Sequence, residues 1–88
     1  MLRISDLGSE EEVMRLRLDG RLSGPWVEEL RRMCEAALKE EQTLIVDCEG
    51  LFFADAEGAA LMRTLRDQGA ALVNCSAFLK LQLEEAAV

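Results

Sequence analysis

Apolar and polar positions change rhythm several times along this chain, and each rhythm predicts an element. In Leu2-Arg3-Ile4-Ser5, and again from Met14 through Arg15, Leu16 and Arg17 to Leu18, the two kinds alternate. That is the period of a strand buried on one side. Gly8 and the acidic stretch 9–12 between these runs predict a polar turn, so the beginning of the chain reads as an antiparallel hairpin. Met14, Leu16 and Leu18 would face one way, Arg15 and Arg17 the other. Glu10, Glu11 and Glu12 read as a solvated loop tip in preference to a cation site.

The rhythm then lengthens. Gly20 and Gly24 bracket Arg21-Leu22-Ser23, and Pro25 follows at the kind of position where a helix tolerates proline best, its first. A helix over 25–40 fits the apolar residues Trp26, Val27, Leu30, Met33, Cys34, Ala37 and Leu38, which recur at spacings of three and four. Glu28, Glu29, Arg32, Glu35 and Lys39 are left for water. Trp26 is assigned to anchoring the core or its rim rather than to stacking on a ligand.

The stretch 43–68 organises the rest. Leu44, Ile45 and Val46, closed by Asp47, form a short apolar run expected inside a parallel sheet covered on both faces. A loop carrying Phe52, Phe53 and Asp55 leads into a helix over 56–68. Asp55 is placed to cap that helix, Ala56, Glu57 and Gly58 make its first turn, Leu61, Met62 and Leu65 form its stripe, and Gly69 stops it. Residues 70–74 read as a second buried strand, parallel to the first by the usual right-handed crossover. Ser76 is expected to cap a last helix through Ala77, Phe78, Leu79, Leu81, Leu83 and Glu84. The alternation of Leu79-Lys80-Leu81-Gln82-Leu83 competes with that reading, but alanines and glutamates follow and no hairpin partner precedes. The expected fold is α/β: a small mixed sheet, hairpin plus parallel strands, flanked by about three helices, in a single domain over 1–88.

Composition narrows the function. A chain of 88 residues hides only about 60 to 65% of its unfolded surface, so stability is expected to be modest. Seventeen acidic against ten basic residues give a net charge of −7, which repels phosphate backbones and anionic lipid; nucleic acid is not an expected partner. There is no apolar run long enough to span a bilayer and no leader pattern, so a cytoplasmic protein without direct membrane insertion is expected. Cys34, Cys48 and Cys75 lack a C-x-x-C spacing and have no histidine to join them, which removes an ordinary zinc site. They read as buried reduced thiols. The absence of histidine also removes Ser-His-Asp and Cys-His catalysis.

Two kinds of chemistry compete for the central stretch. Asp47, Glu49, Asp55 and Glu57 lie near the carboxyl end of the central strand, where a carboxylate cluster could bind a divalent metal or serve as acid and base. Spacing does not select that reading. There is no glycine-rich phosphate loop, no G-K-[ST] and no basic residue in the loop, and a capped helix with solvated acids accounts for the same residues. No catalysis, metal or cofactor is therefore expected. The competing reading is a surface for another protein: Leu51, Phe52 and Phe53 adjoin Asp55, and at least one of them must face outward. The alternative, in which both phenylalanines plug the bottom of the core, stands open beside it.

The order L-x-L-x-G-x-L-x-G, an amphipathic helix, L-I-V-D-x-x-x-L-x-F-x-D-x-x-G-x-x-L, then G-A-x-L and a serine resembles the STAS domain, named for sulphate transporters and anti-sigma factor antagonists. The resemblance runs from Val13 through the last helix. It implies a small mixed sheet flanked by helices, no enzymatic activity, and regulation through protein contacts. In the bacterial antagonists, the loop and the amino end of the second helix dock on an anti-sigma factor that is also a serine kinase, and phosphorylation of a serine in a D-S-S-G motif breaks the complex. Carried over here, the partner-binding residues are Phe52, Phe53, Asp55, Ala56, Glu57 and Gly58, with Glu57 at the acceptor position of Asp55-Ala56-Glu57-Gly58. Its carboxylate has no hydroxyl to phosphorylate but carries a permanent charge, smaller than the roughly −1.5 to −2 of phosphoserine. Either it holds the domain outside a phosphorylation cycle with a constant acidic docking face, or it marks drift. Ser76 and Thr64 are the nearby hydroxyls to check.

The resemblance also admits an alternative partner, the cytoplasmic ATPase of a transporter, with the chain as accessory subunit; a small metal-binding protein or enzyme comes third. A further departure is the short carboxyl end at Val88, which implies a shorter final helix, or one whose outer face is covered by a second copy in a homodimer or by a partner.

Overall fold

The hairpin forms: β1 (Leu2–Glu10) pairs antiparallel with β2 (Val13–Leu22). Its strands outrun the alternation, because pairing continues into the acidic stretch, with Ser9 opposite Met14 and Glu10 opposite Val13. An irregularity between Asp6 and Ser9 allows this. Gly8 takes a φ of 101° there, and its N–H donates to the Asp6 carboxylate at 2.8 Å. The expected turn over 8–12 is thus shorter than its composition implied. The computed structural model describes residues 1–10 and 12–85, so Glu11 of that turn lies outside the described residues.

Helix α1 (Pro25–Lys39) begins after Gly24, whose φ of 57° favours glycine. It buries Val27, Leu30, Cys34 and Ala37, with Trp26, Met33 and Leu38 packed at the rim. Then come β3 (Thr43–Ala54), α2 (Ala56–Asp67), β4 (Ala71–Val73) and α3 (Ala77–Glu85). The sheet order is β1-β2-β3-β4, with β2, β3 and β4 mutually parallel. The last helix is a helix despite its alternating leucines: Leu79 and Leu83, four apart, are buried, and the Leu79 N–H donates to Ser76 Oγ at 3.1 Å.

Three expectations need correction. Phe52 and Phe53 lie on strand β3, not in a loop, because β2 runs on to Leu22 and keeps offering partners as far as Ala54. Among the described residues the sheet is covered on one face, not two. Residues opposite one another in a ladder share a face, and Leu16, Val46 and Leu72 point into the core that all three helices complete. On the other face lie Arg15, Ile45 and Ala71 in one row and Ser5, Arg17, Asp47 and Val73 in the next. β4 is also not a buried strand: it is a three-residue edge in which Ala71 and Val73 are exposed, while Ala70 just before it is buried.

Among the described residues no helix is long and apolar enough to cross a membrane. All three cysteines are free; Cys34 and Cys48 are buried and Cys75 is half-buried.

Candidate functional site

Asp55 sits between the end of β3 and the start of α2 in an extended conformation, and both oxygens of its carboxylate are in use. Oδ1 accepts from the Gly58 N–H at 2.7 Å and Oδ2 from the Gly24 N–H at 3.2 Å. The first bond caps α2 as expected. The second was not legible in the sequence: it ties the start of α2 to the residue preceding α1, so one carboxylate serves the amino ends of two helices, where negative charge is favoured. The Asp55 N–H in turn donates to the Leu22 carbonyl at 3.0 Å, which fixes this corner to the end of β2.

Around that corner, Ala56 and Glu57 are exposed and Gly58 is buried. A methyl group on Gly58 would lie 2.7 Å from the Leu22 carbonyl oxygen and 3.0 Å from Leu22 Cγ, so the glycine lets α2 start hard against β2. Its part in the site is close packing, while Ala56 and Glu57 supply surface. The Glu57 carboxylate stands in the first turn of α2, on the positive end of its dipole, a placement worth about 0.3 to 1 kcal/mol at an exposed position.

The two phenylalanines occupy an adjoining part of the surface. β2 and β3 change register between Gly20 and Arg21: Gly20 is opposite Leu51, Arg21 opposite Phe53, and Phe52 is the extra residue. Such a bulge turns two successive side chains toward one partner. The Arg21 guanidinium accordingly lies 5.7 Å from the Phe52 ring centroid and 5.8 Å from that of Phe53, within cation–π range of both. Leu22 and Ala54, the next pair, are buried, so Arg21 and Phe53 belong to the helix-free face. Phe52 is 58% exposed and Phe53 half-buried, while Leu51 and Ala54 fill the core. The reading in which both phenylalanines plug the core therefore fails. Arg21 is the residue sequence reasoning missed. The only signal was its phase with Arg15 and Arg17 along β2.

Of the four acids expected to cluster, Asp47 and Asp55 are engaged by hydrogen bonds of their own. Asp47 accepts from the Glu49 N–H at 3.0 Å and from Asn74 Nδ2 at 3.1 Å. These bonds, the backbone one foremost, and the charge of Arg17 hold its carboxyl below the usual range. Asp55 is committed to its two amides. Among the described residues no group of three or more acids or cysteines could hold a metal ion. The two hydroxyls singled out are occupied elsewhere: Thr64 Oγ1 donates to the Ala60 carbonyl at 3.0 Å within α2, and Ser76 caps α3.

A family model described as the STAS domain matches residues 6–85. Among solved structures, the chain is similar to the anti-sigma factor antagonist SpoIIAA in its unphosphorylated form, with 23% sequence identity and a TM-score of 0.76. That likeness covers 93% of this chain and 82% of the other, and it establishes the fold: a four-stranded mixed sheet with helices. A search of the curated proteins found no match.

Proposed function

This chain belongs to the STAS domain family, and we propose that it is a cytoplasmic, non-catalytic regulatory module that works by binding another protein. The partner class is an anti-sigma factor with serine-kinase chemistry, by analogy with the SpoIIAA-type antagonist to which the fold is similar. The docking surface is the corner made by Phe52, Phe53, Asp55, Ala56 and Glu57, with Gly58 packed beneath it.

The observation that carries this reading is the exposed Glu57 carboxylate in the first turn of α2, directly beyond the Asp55 cap. It occupies the position that corresponds to the acceptor serine of the antagonists. A carboxylate there accepts no phosphoryl group, so the acidic face is constant and binding does not respond to ATP.

The test mixes the purified chain with the kinase-type anti-sigma factor of the same cell, with and without ATP. The expected result is a complex that persists in ATP with no phosphate on the chain, whereas Glu57→Ser takes phosphate and releases its partner. Failure to form any complex, or phosphate appearing elsewhere on the unaltered chain, would sink the proposal.

A further inference from the structure

The ladder between β3 and β4 ends beside two cysteines. Its last rungs join Val46 to Leu72 and Asp47 to Val73. One residue further along β3 is Cys48, only 1% exposed; two residues beyond β4 is Cys75, half-buried against the same core. Asn74 between them adopts a left-handed φ of 59°, and its amide holds Asp47 at 3.1 Å. The chain therefore turns at the level of Cys48 instead of running on along the sheet. Cys48 and Cys75 thus stand one and two residues past a rung across which the strands lie about 4.8 Å apart, and both pack against one core. The Cys48 thiol donates to the Val46 carbonyl at 3.7 Å, and the Cys75 thiol is close enough to be, after burial, the next influence that raises the Cys48 thiol above its ordinary range.

We propose that Cys48 and Cys75 are a redox-modification site that closes to an intramolecular disulfide under peroxide and fastens the root of α3 to the middle of the sheet. Cys75, the more accessible, is the point of entry. Its thiolate attacks one peroxide oxygen, the O–O bond breaks, and the departing hydroxide is protonated to water, leaving a sulfenic acid on Cys75. The Cys48 sulfur then attacks the Cys75 sulfur; the S–S bond forms, the S–O bond breaks, and the leaving hydroxide takes the Cys48 proton as a second water. Two thiols are oxidised by two electrons, and one hydrogen peroxide is reduced. The second step proceeds inside the protein, and because burial keeps the Cys48 thiol protonated, its proton leaves with the hydroxide as the S–S bond forms. Cys34 stays out because it is buried within α1 and no second sulfur figures among the influences on its thiol.

The bridge matters because of what α3 holds. The helix begins at Ala77, two residues after Cys75, and its Gln82 is bonded to Ala54, the residue before Asp55. A link at Cys75 therefore anchors the helix that braces the end of β3.

The full chain, reduced and then freed of reductant, is treated with hydrogen peroxide, and its thiols are counted after unfolding. The titre is expected to fall from three to one. The mass should drop by two hydrogens, the remaining alkylated thiol should map to Cys34, and digestion should yield one linked peptide pair containing Cys48 and Cys75. The oxidised chain should unfold at higher urea than the reduced one, and Cys75→Ser should show neither the bridge nor that gain. A titre that stays at three, oxidation of Cys75 that runs on to sulfinic acid, Cys75 linking two chains, or a bridged chain with an unchanged urea midpoint would each overturn the proposal.

Discussion

The side-chain amide of Gln82 pairs with both main-chain groups of Ala54: its Oε1 accepts from the Ala54 N–H at 3.1 Å, and its Nε2 donates to the Ala54 carbonyl at 2.9 Å. β2 is bonded by the next residue, through the Asp55 N–H and the Leu22 carbonyl, so the polar groups of Ala54 point away from β2. On that side β4 has already ended at Val73. The carboxamide supplies the rung that the short edge strand lacks, and it comes from the helix packed there. Gln82→Ala is expected to cost about 1 to 2 kcal/mol, two hydrogen bonds at their usual net worth. Gln82→Glu keeps the acceptor but sets a carboxylate against the Ala54 carbonyl, so it should be at least as costly at neutral pH. Urea midpoints of the two variants check this; a midpoint unchanged in both would mean that water replaces the amide without loss.

Asp55 joins two helix starts, and its removal should reach both. Asp55→Ala is expected to lower stability by about 1 to 2 kcal/mol, the upper part of the range for losing a cap. Asp55→Asn retains a single accepting oxygen, so it should fall between wild type and Asp55→Ala. Hydrogen exchange separates the two roles. The Gly58 and Gly24 amides should both lose protection in Asp55→Ala, and exchange quickening at Gly58 alone would show that the link to α1 is dispensable.

Asp47 predicts how acid acts on the far end of the sheet. Its folded pKa is depressed, by the Glu49 N–H first and then by the Asn74 amide. The unfolded chain therefore binds that proton more readily than the folded one. The contribution to stability is full above an unfolded pKa of about 4 and is lost as the pH falls through the lower folded value. Asn74→Gly keeps the left-handed turn but deletes the amide. It should raise the Asp47 titration midpoint toward the ordinary carboxylate range, as followed by NMR of the side-chain carboxyl. A midpoint that does not move would take Asn74 out of the account.

The exposed aromatic should separate binding from folding. Phe52→Ala removes a ring that is mostly in water and one face of the Arg21 contact, so its cost to stability should stay within about 1 kcal/mol. Phe53→Ala, at a half-buried ring, should cost more. Partner capture is expected to weaken in Phe52→Ala, Arg21→Ala and Glu57→Lys alike, measured beside each variant's urea midpoint. Full retention of binding in all three would move the docking surface away from this corner.

Much of the architecture was legible in local order. Alternation assigned Leu16 and Leu18 to the core, spacings of three and four found the buried stripe of α1, and a side-chain oxygen three residues before a needy amide marked both Asp55 and Ser76 as caps. These features follow from covalent geometry and from hydrogen bonds reaching only a few residues, so the chain carries them wherever it is placed. Periodicity and the right-handed crossover already gave a hairpin plus parallel strands, the resemblance to the STAS pattern implied the same mixed sheet, and the family match agrees with it.

What the sequence left undecided depends on residues far apart along the chain. The length of β3 follows from how far β2 runs beside it, and the exposure of Phe52 from a register change opposite Arg21. The bond from Asp55 to Gly24 spans 31 positions and that from Gln82 to Ala54 spans 28. Whether one face of the sheet or both are covered is set by where three amphipathic helices find room, because each needs only a single apolar surface and the side it takes leaves the other to water. Periodicity names which side of an element is buried; only the packed chain decides what lies against it.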